Sequence, residues 1–160
     1  MKRESHTVYG AAAGYLVAGL PGALLGGLVA SLPDDMEPIF DFEHRKTSHS
    51  AWMVMVIYML LSQLSIIVGL DSRYALAMTA GYVSHILVDA MTISGVYWLS
   101  PLNMRHKFHL LPRKLRIRTG SSLDSLLAGI VGVWLCWMVF PEAAIFFSEF
   151  DFEQLLSLIS

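Results

Sequence analysis

The chain has 160 residues, of which 55% are hydrophobic and only 15% charged, with a formal net charge of −2. A soluble domain is more evenly balanced, so this composition predicts an integral membrane protein. The small net charge hides a strong segregation of charges along the chain, and a single cysteine, Cys136 within "WLCWMVF", excludes an internal disulfide.

Four apolar stretches follow one another: residues 8–32, 51–70, 74–93 and 123–140. About 20 apolar helical residues cross a bilayer core, so the second, third and fourth are expected to span it. The first contains "GLPGALLGG", where Pro21 and Gly22 interrupt the helical run. It predicts two short helices folded into a hairpin, its irregular backbone shielded by protein; the competing reading is one kinked span. Acidic residues, not a cleavage site, follow this run, so no removable signal peptide is expected. The terminal "PEAAIFFSEFDFEQLLSLIS" predicts an amphipathic, interfacial helix. Without repeats or low-complexity linkers, the expectation is one domain over residues 1–160. The fold class is all-α: a polytopic membrane protein with about three spanning helices, an N-terminal broken hairpin and a C-terminal amphipathic helix.

The basic residues favour the hairpin. Lys2 and Arg3 precede the first stretch, Arg45 and Lys46 follow it, and Arg105, Lys107, Arg113, Lys114, Arg116 and Arg118 crowd the connection before the fourth. A simple crossing by the first stretch would put the N-terminus and the most basic loop on opposite sides, against the positive-inside bias. A hairpin places both, together with the 33–50 loop, on the cytoplasmic side. The acidic tail with Glu142, Glu149, Asp151 and Glu153 then lies outside.

This topology gathers His6, Asp34, Asp35, His44 and His49 at the cytoplasmic rim. The third spanning helix rises toward them with His85 and Asp89, four residues apart and therefore on one helix face. Ionisable groups within a membrane segment are costly and face a partner or a wet cavity. One reading of the pair is a hydrogen bond between packed helices. The nearby "PDDMEP" and "HRKTSHS" favour a metal centre, since imidazole and carboxylate are the ligand set for zinc and related divalent ions.

"LPDD", "HRKTSHS" and "GYVSHILVDAMTISGVYWLSP" resemble, in order and spacing, the YdjM-like family of membrane-bound metal-dependent hydrolases. The likeness covers residues 6–101 and implies His6, Asp34, His44, His49, His85 and Asp89 as site residues. Where the family carries a second Asp, this chain has Met36, flanked by Asp35 and Glu37. The order of His and Asp residues also looks faintly like that of zinc-dependent phospholipase C and P1 nuclease, which would make Asp124 a late acidic ligand; a helix N-terminal role for Asp124 is the simpler alternative.

The resemblance implies a divalent ion, zinc or manganese, with one or two ions held by His6, Asp34, His49, His85 and Asp89. His44 or Asp35 is the candidate for proton transfer. The expected reaction is hydrolysis of a phosphoester or ester bond in a lipid-like substrate by activated water, a phospholipase-like or phosphodiesterase-like activity at the cytoplasmic face of the inner membrane. The alternative is a membrane protein without enzymatic activity: a metal-binding, transport or scaffold component. The run "RHKFHLLPRKLRIR" alternates cations with apolar residues, as suits a segment on anionic lipid. Arg45 and Lys46 are candidates to hold an anionic head group or simply to lie in a solvated loop. Lacking a recognised module, the chain is not expected to bind nucleic acid.

Overall fold

The computed structural model describes residues 2–149, with side chains through residue 145. Five α-helices account for most of them: α1 (Arg3–Val29), α2 (Leu32–Phe40), α3 (Ala51–Ile67), α4 (Ser72–Ala90) and α5 (Ser122–Glu149). Among the described residues β pairing is confined to two isolated bridges, Thr92 with Ile117 and Val96 with Phe108.

Helix α1 is folded in two. Ala18 (φ −143°, ψ 29°) and Gly19 (φ 59°, ψ −148°) leave helical geometry, and the arms before and after them pack side by side. The turn therefore lies slightly upstream of Pro21 and Gly22, where the sequence suggests the break. Gly19 occupies a backbone region essentially reserved for glycine, whereas Pro21 sits in the first turn of the second arm, where its missing N–H costs nothing. Small residues bring the arms into backbone contact. A Cβ on Gly14 would stand 2.0 Å from Gly22 O, and one on Gly10 would stand 2.7 Å from Gly26 O. Such stripes let membrane helices approach closely. At the turn, Glu142 of α5 accepts hydrogen bonds from Leu20 N (3.1 Å) and the Tyr15 hydroxyl (2.8 Å), capping the second arm with a carboxylate.

Helix α4 is the buried centre of the bundle and packs most extensively on α1. A Cβ on Gly81 would lie 2.2 Å from Gly26 O, so α4 meets the second arm at backbone distance. On its other side Tyr82, Ile86 and Ala90 join Ile57 and Val96 in an apolar cluster bordered by Met36, Met53 and Trp98. Two helical segments, residues 3–40 and 122–145, are long and apolar enough to cross a membrane. Of the three single spans expected, only the last meets that measure. Helix α3 is a shorter apolar helix of 17 residues, and α4 is less apolar because most of its surface faces protein instead of lipid. Helix α5 runs through Pro141 to Glu149. Residues 141–149 thus continue α5 instead of starting a separate helix, and the rest of the expected amphipathic helix, 150–160, lies outside the described residues.

Candidate metal centre

Local structure brings the polar residues to one end of the bundle. Asp34 and Asp35 occupy the first turn of α2, a favourable place for carboxylates near a helix N-terminus. Asp34 and Glu37 are three residues apart and share a helix face, while Met36 turns toward the apolar cluster. A 3₁₀ turn, Thr47–His49, leads into α3, whose first turn is capped by Ser50 Oγ accepting from Met53 N at 3.3 Å. That cap holds His49 immediately before the helix. His85 and Asp89 lie in the last turns of α4, and His6 in the first turn of α1.

Four of these side chains converge. His49 Nε2 and His85 Nε2 are 3.1 Å apart. Asp34 Oδ1 lies 3.5 Å from each of them, and Asp89 Oδ2 lies 3.6 Å from His49 Nε2 and 3.9 Å from His85 Nε2. Both histidines and Asp89 are buried, while the Asp34 side chain is 41% exposed. With metal–ligand bonds of about 2.0–2.1 Å, neighbouring donors of a tetrahedral zinc ion stand about 3.4 Å apart, and the observed separations bracket that value.

The partners of the far ring nitrogens set the protonation of the near ones. His85 Nδ1 lies 2.7 Å from the Ala30 carbonyl, which can only accept, so Nδ1 carries the proton and a neutral ring offers a lone pair at Nε2. His49 Nδ1 faces Glu37 Oε1 at 3.3 Å and Ser48 Oγ at 2.9 Å. Burial lowers the His49 pKa below its usual value, against the opposing hydrogen bond to Glu37, so the ring is neutral near pH 7 with Nε2 again bare. Glu37 Oε1 also accepts from the Arg45 amide at 2.7 Å and from Ser48 Oγ at 3.1 Å. Two imidazoles and two carboxylates thus gather at one place, with Arg45 against Asp89 Oδ2, and the donor types suit a divalent cation. The Glu37–His49 contact supplies the carboxylate behind a ligating histidine that usually orients such rings.

His6 stacks on His85 with ring centroids 3.7 Å apart, and its Nε2 lies 3.5 Å from Asp89 Oδ1. Although it is 1% exposed, neither ring nitrogen makes a hydrogen bond among the described residues, a costly state for a buried polar ring. His6, His85 and Asp89 offer a second group of donors beside the first.

The structure therefore brings His6, Asp34, His49, His85 and Asp89 together. It does not bring Asp35 with them: that carboxylate bonds Arg3 Nη2 at 3.0 Å and Ser31 Oγ at 2.8 Å. His44 stands one step out, bound through Nδ1 to Glu37 and 66% exposed. Asp124 takes the simpler role. It is buried, accepting from Ser5 Oγ (3.0 Å) and Gly120 N (2.9 Å) at the start of α5. Arg45, for which the sequence offers a head-group contact or a solvated loop, turns inward to Asp89 with Nε 3.0 Å from Oδ2. Only the tertiary fold reveals this contact and that of Thr92 Oγ1 with Arg45 Nη1; the Asp34–Glu37 spacing was the legible signal for Glu37.

Comparison with curated proteins and with solved structures returns no match, so the faint phospholipase C and P1 nuclease likeness gains no support. The family model described as YdjM inner membrane protein matches residues 1–149, which covers all five helices and every residue of the cluster, and the chain belongs to the YdjM inner membrane protein family.

Proposed function

We propose that this chain is a multi-pass inner-membrane hydrolase that cleaves a phosphoester or ester bond of a lipid-like substrate at its cytoplasmic face. The observation that supports it most is the approach of Asp34 Oδ1 and Asp89 Oδ2 to both His49 Nε2 and His85 Nε2 at 3.5–3.9 Å, the two nitrogens 3.1 Å apart and the far nitrogens facing Glu37 and the Ala30 carbonyl. The donor set suits zinc, and manganese as an alternative. A bound divalent ion supplies Lewis acidity, bringing water ionisation toward neutral pH and polarising a phosphoryl or acyl oxygen.

The residues of the chain do the rest. Glu37 orients His49, the Ala30 carbonyl orients His85, and Asp89 faces both donor groups, its Oδ1 toward His6 and its Oδ2 toward His49 and His85. His44, exposed and bonded to Glu37, is placed to pass a proton between solvent and the Glu37–His49 pair. Asp34 forms the accessible wall through which a substrate enters. The basic loops on the same end set the cytoplasmic orientation, and α1 enters and leaves the bilayer on that side.

A second reading has an observation of its own. Both histidines and Asp89 are buried, as suits a closed structural zinc site; catalytic sites keep a position open. On that reading the centre pins α2, the 3₁₀ turn and α4 together without turnover. The test is metal content of the purified protein and of His85→Ala and Asp89→Ala, followed by product release from a lipid and chromogenic phosphodiester panel. Stoichiometric metal lost in both variants, with metal-dependent product release by the native chain, supports the hydrolase. Metal without turnover selects the structural centre, and full metal occupancy in both variants overturns either reading.

A further inference from the structure

Arg45 is the one cation that reaches the donor cluster among the described residues. Its Nε lies 3.0 Å from Asp89 Oδ2, Nη1 donates to Thr92 Oγ1 at 3.2 Å, and its side chain is 12% exposed. The backbone at Arg45 has φ 60°, a left-handed conformation that residues other than glycine and asparagine adopt rarely and at a cost. Two hydrogen bonds enforce it: Arg45 N donates to Glu37 Oε1 at 2.7 Å, and Arg45 O accepts from Tyr97 N at 3.2 Å. Strain held this firmly points to use at a functional site, and what the fold gains here is a guanidinium beside the donors.

The charges state what that guanidinium serves. Asp34 and Asp89 balance one divalent ion, and Glu37 behind His49 leaves the centre negative by one. Arg45 returns it to neutrality. A neutral ester has no need of this, whereas an ionised phosphoryl group approaching the centre does, and the planar guanidinium fork matches its oxygens. We propose that Arg45 binds an anionic phosphoryl oxygen of the substrate beside the metal centre, so that the bond cleaved is a phosphoester. This rests on the metal-dependent reading above and narrows it.

The experiment uses the zinc-loaded full chain in detergent and inorganic phosphate as the probe, with Arg45→Gly, Arg45→Asn and Arg45→Lys. Gly and Asn accept φ 60° more readily than Arg, so these two variants remove the guanidinium while relieving the backbone. Zinc content is expected to stay within twofold of the native chain, while phosphate affinity by calorimetry falls at least about tenfold in Gly and Asn and less in Lys, which keeps a point charge. Cleavage of bis(p-nitrophenyl) phosphate should fall in parallel, and cleavage of p-nitrophenyl acetate should not. Native phosphate affinity in Arg45→Gly, or equal loss on both chromogenic substrates, overturns the assignment. Loss of zinc from Arg45→Gly also overturns it, because Arg45 then serves only to hold Asp89. A native chain that binds zinc but no phosphate refutes the phosphoryl role and leaves the metal centre standing; a native chain without zinc refutes both.

Discussion

Replacing Gly81 by Ala perturbs the centre without touching a ligand. A Cβ at this position would stand 2.2 Å from Gly26 O and 2.7 Å from both Gly26 C and Cα, all backbone atoms that no rotamer change can move. Ordinary contact begins at 3.4 Å, so α4 must retreat from the second arm of α1 by about 1.2 Å. His85 lies one helical turn beyond Gly81 and Asp89 two, and both travel with the helix. The 2.7 Å bond from His85 Nδ1 to Ala30 O and the 3.5 Å approach to Asp34 Oδ1 then open together. Metal–ligand distances tolerate about 0.2 Å. We expect overpacking to cost about 1–3 kcal/mol in stability and zinc affinity to fall by at least the 10- to 100-fold seen when supporting contacts are lost. Competitive zinc titration and thermal unfolding in detergent measure the two effects. Gly129→Ala is the control, since nothing lies within 4 Å of its Cβ and helix propensity should raise stability by up to about 1 kcal/mol. If Gly81→Ala binds zinc within twofold of the native chain, the close α1–α4 contact does not set the ligand geometry and the reasoning fails.

Glu37→Gln removes the carboxylate behind His49 and should weaken metal binding by about 10- to 100-fold. Asp35→Asn breaks only a half-exposed contact with Arg3 and Ser31 and should change metal affinity little; a reversal of this ranking in zinc titrations would return Asp35 to the site. Met36→Asp places a carboxylate against the apolar cluster around α4 and should lower stability by about 1–3 kcal/mol, read as the unfolding midpoint, without gain of activity. Gly19→Ala forces a side chain into φ 59° with Glu142 Oε2 3.3 Å away; the hairpin should lose at least about 1 kcal/mol, and an unchanged midpoint would argue against the folded form of α1. Reporter fusions after Arg118 and near the N-terminus should both read cytoplasmic and one at Asp71 external, whereas opposite sides for the first two would rule out the hairpin topology.

Much of the centre was legible in the chain itself. His85 and Asp89 at i and i+4 had to share a helix face, two histidines had to stand before an apolar helix, and a Pro-Gly pair within a Gly-rich apolar run had to bend it. These are local consequences of helical period, backbone torsion and composition, and they hold whatever the partners are. The tertiary structure decided the rest. It put the turn of α1 at Ala18–Gly19, because the arms pack where Gly10 and Gly14 face Gly22 and Gly26. It turned Met36 into the apolar cluster and left Glu37 for His49, a choice made by the rotation of α2 against α4. It drew Asp124 to Ser5 and the start of α5, and swung Arg45 inward onto Asp89. Each of these outcomes depends on which distant surface a residue meets, and such meetings are fixed by the mutual fit of packed helices, which no local pattern of residues encodes.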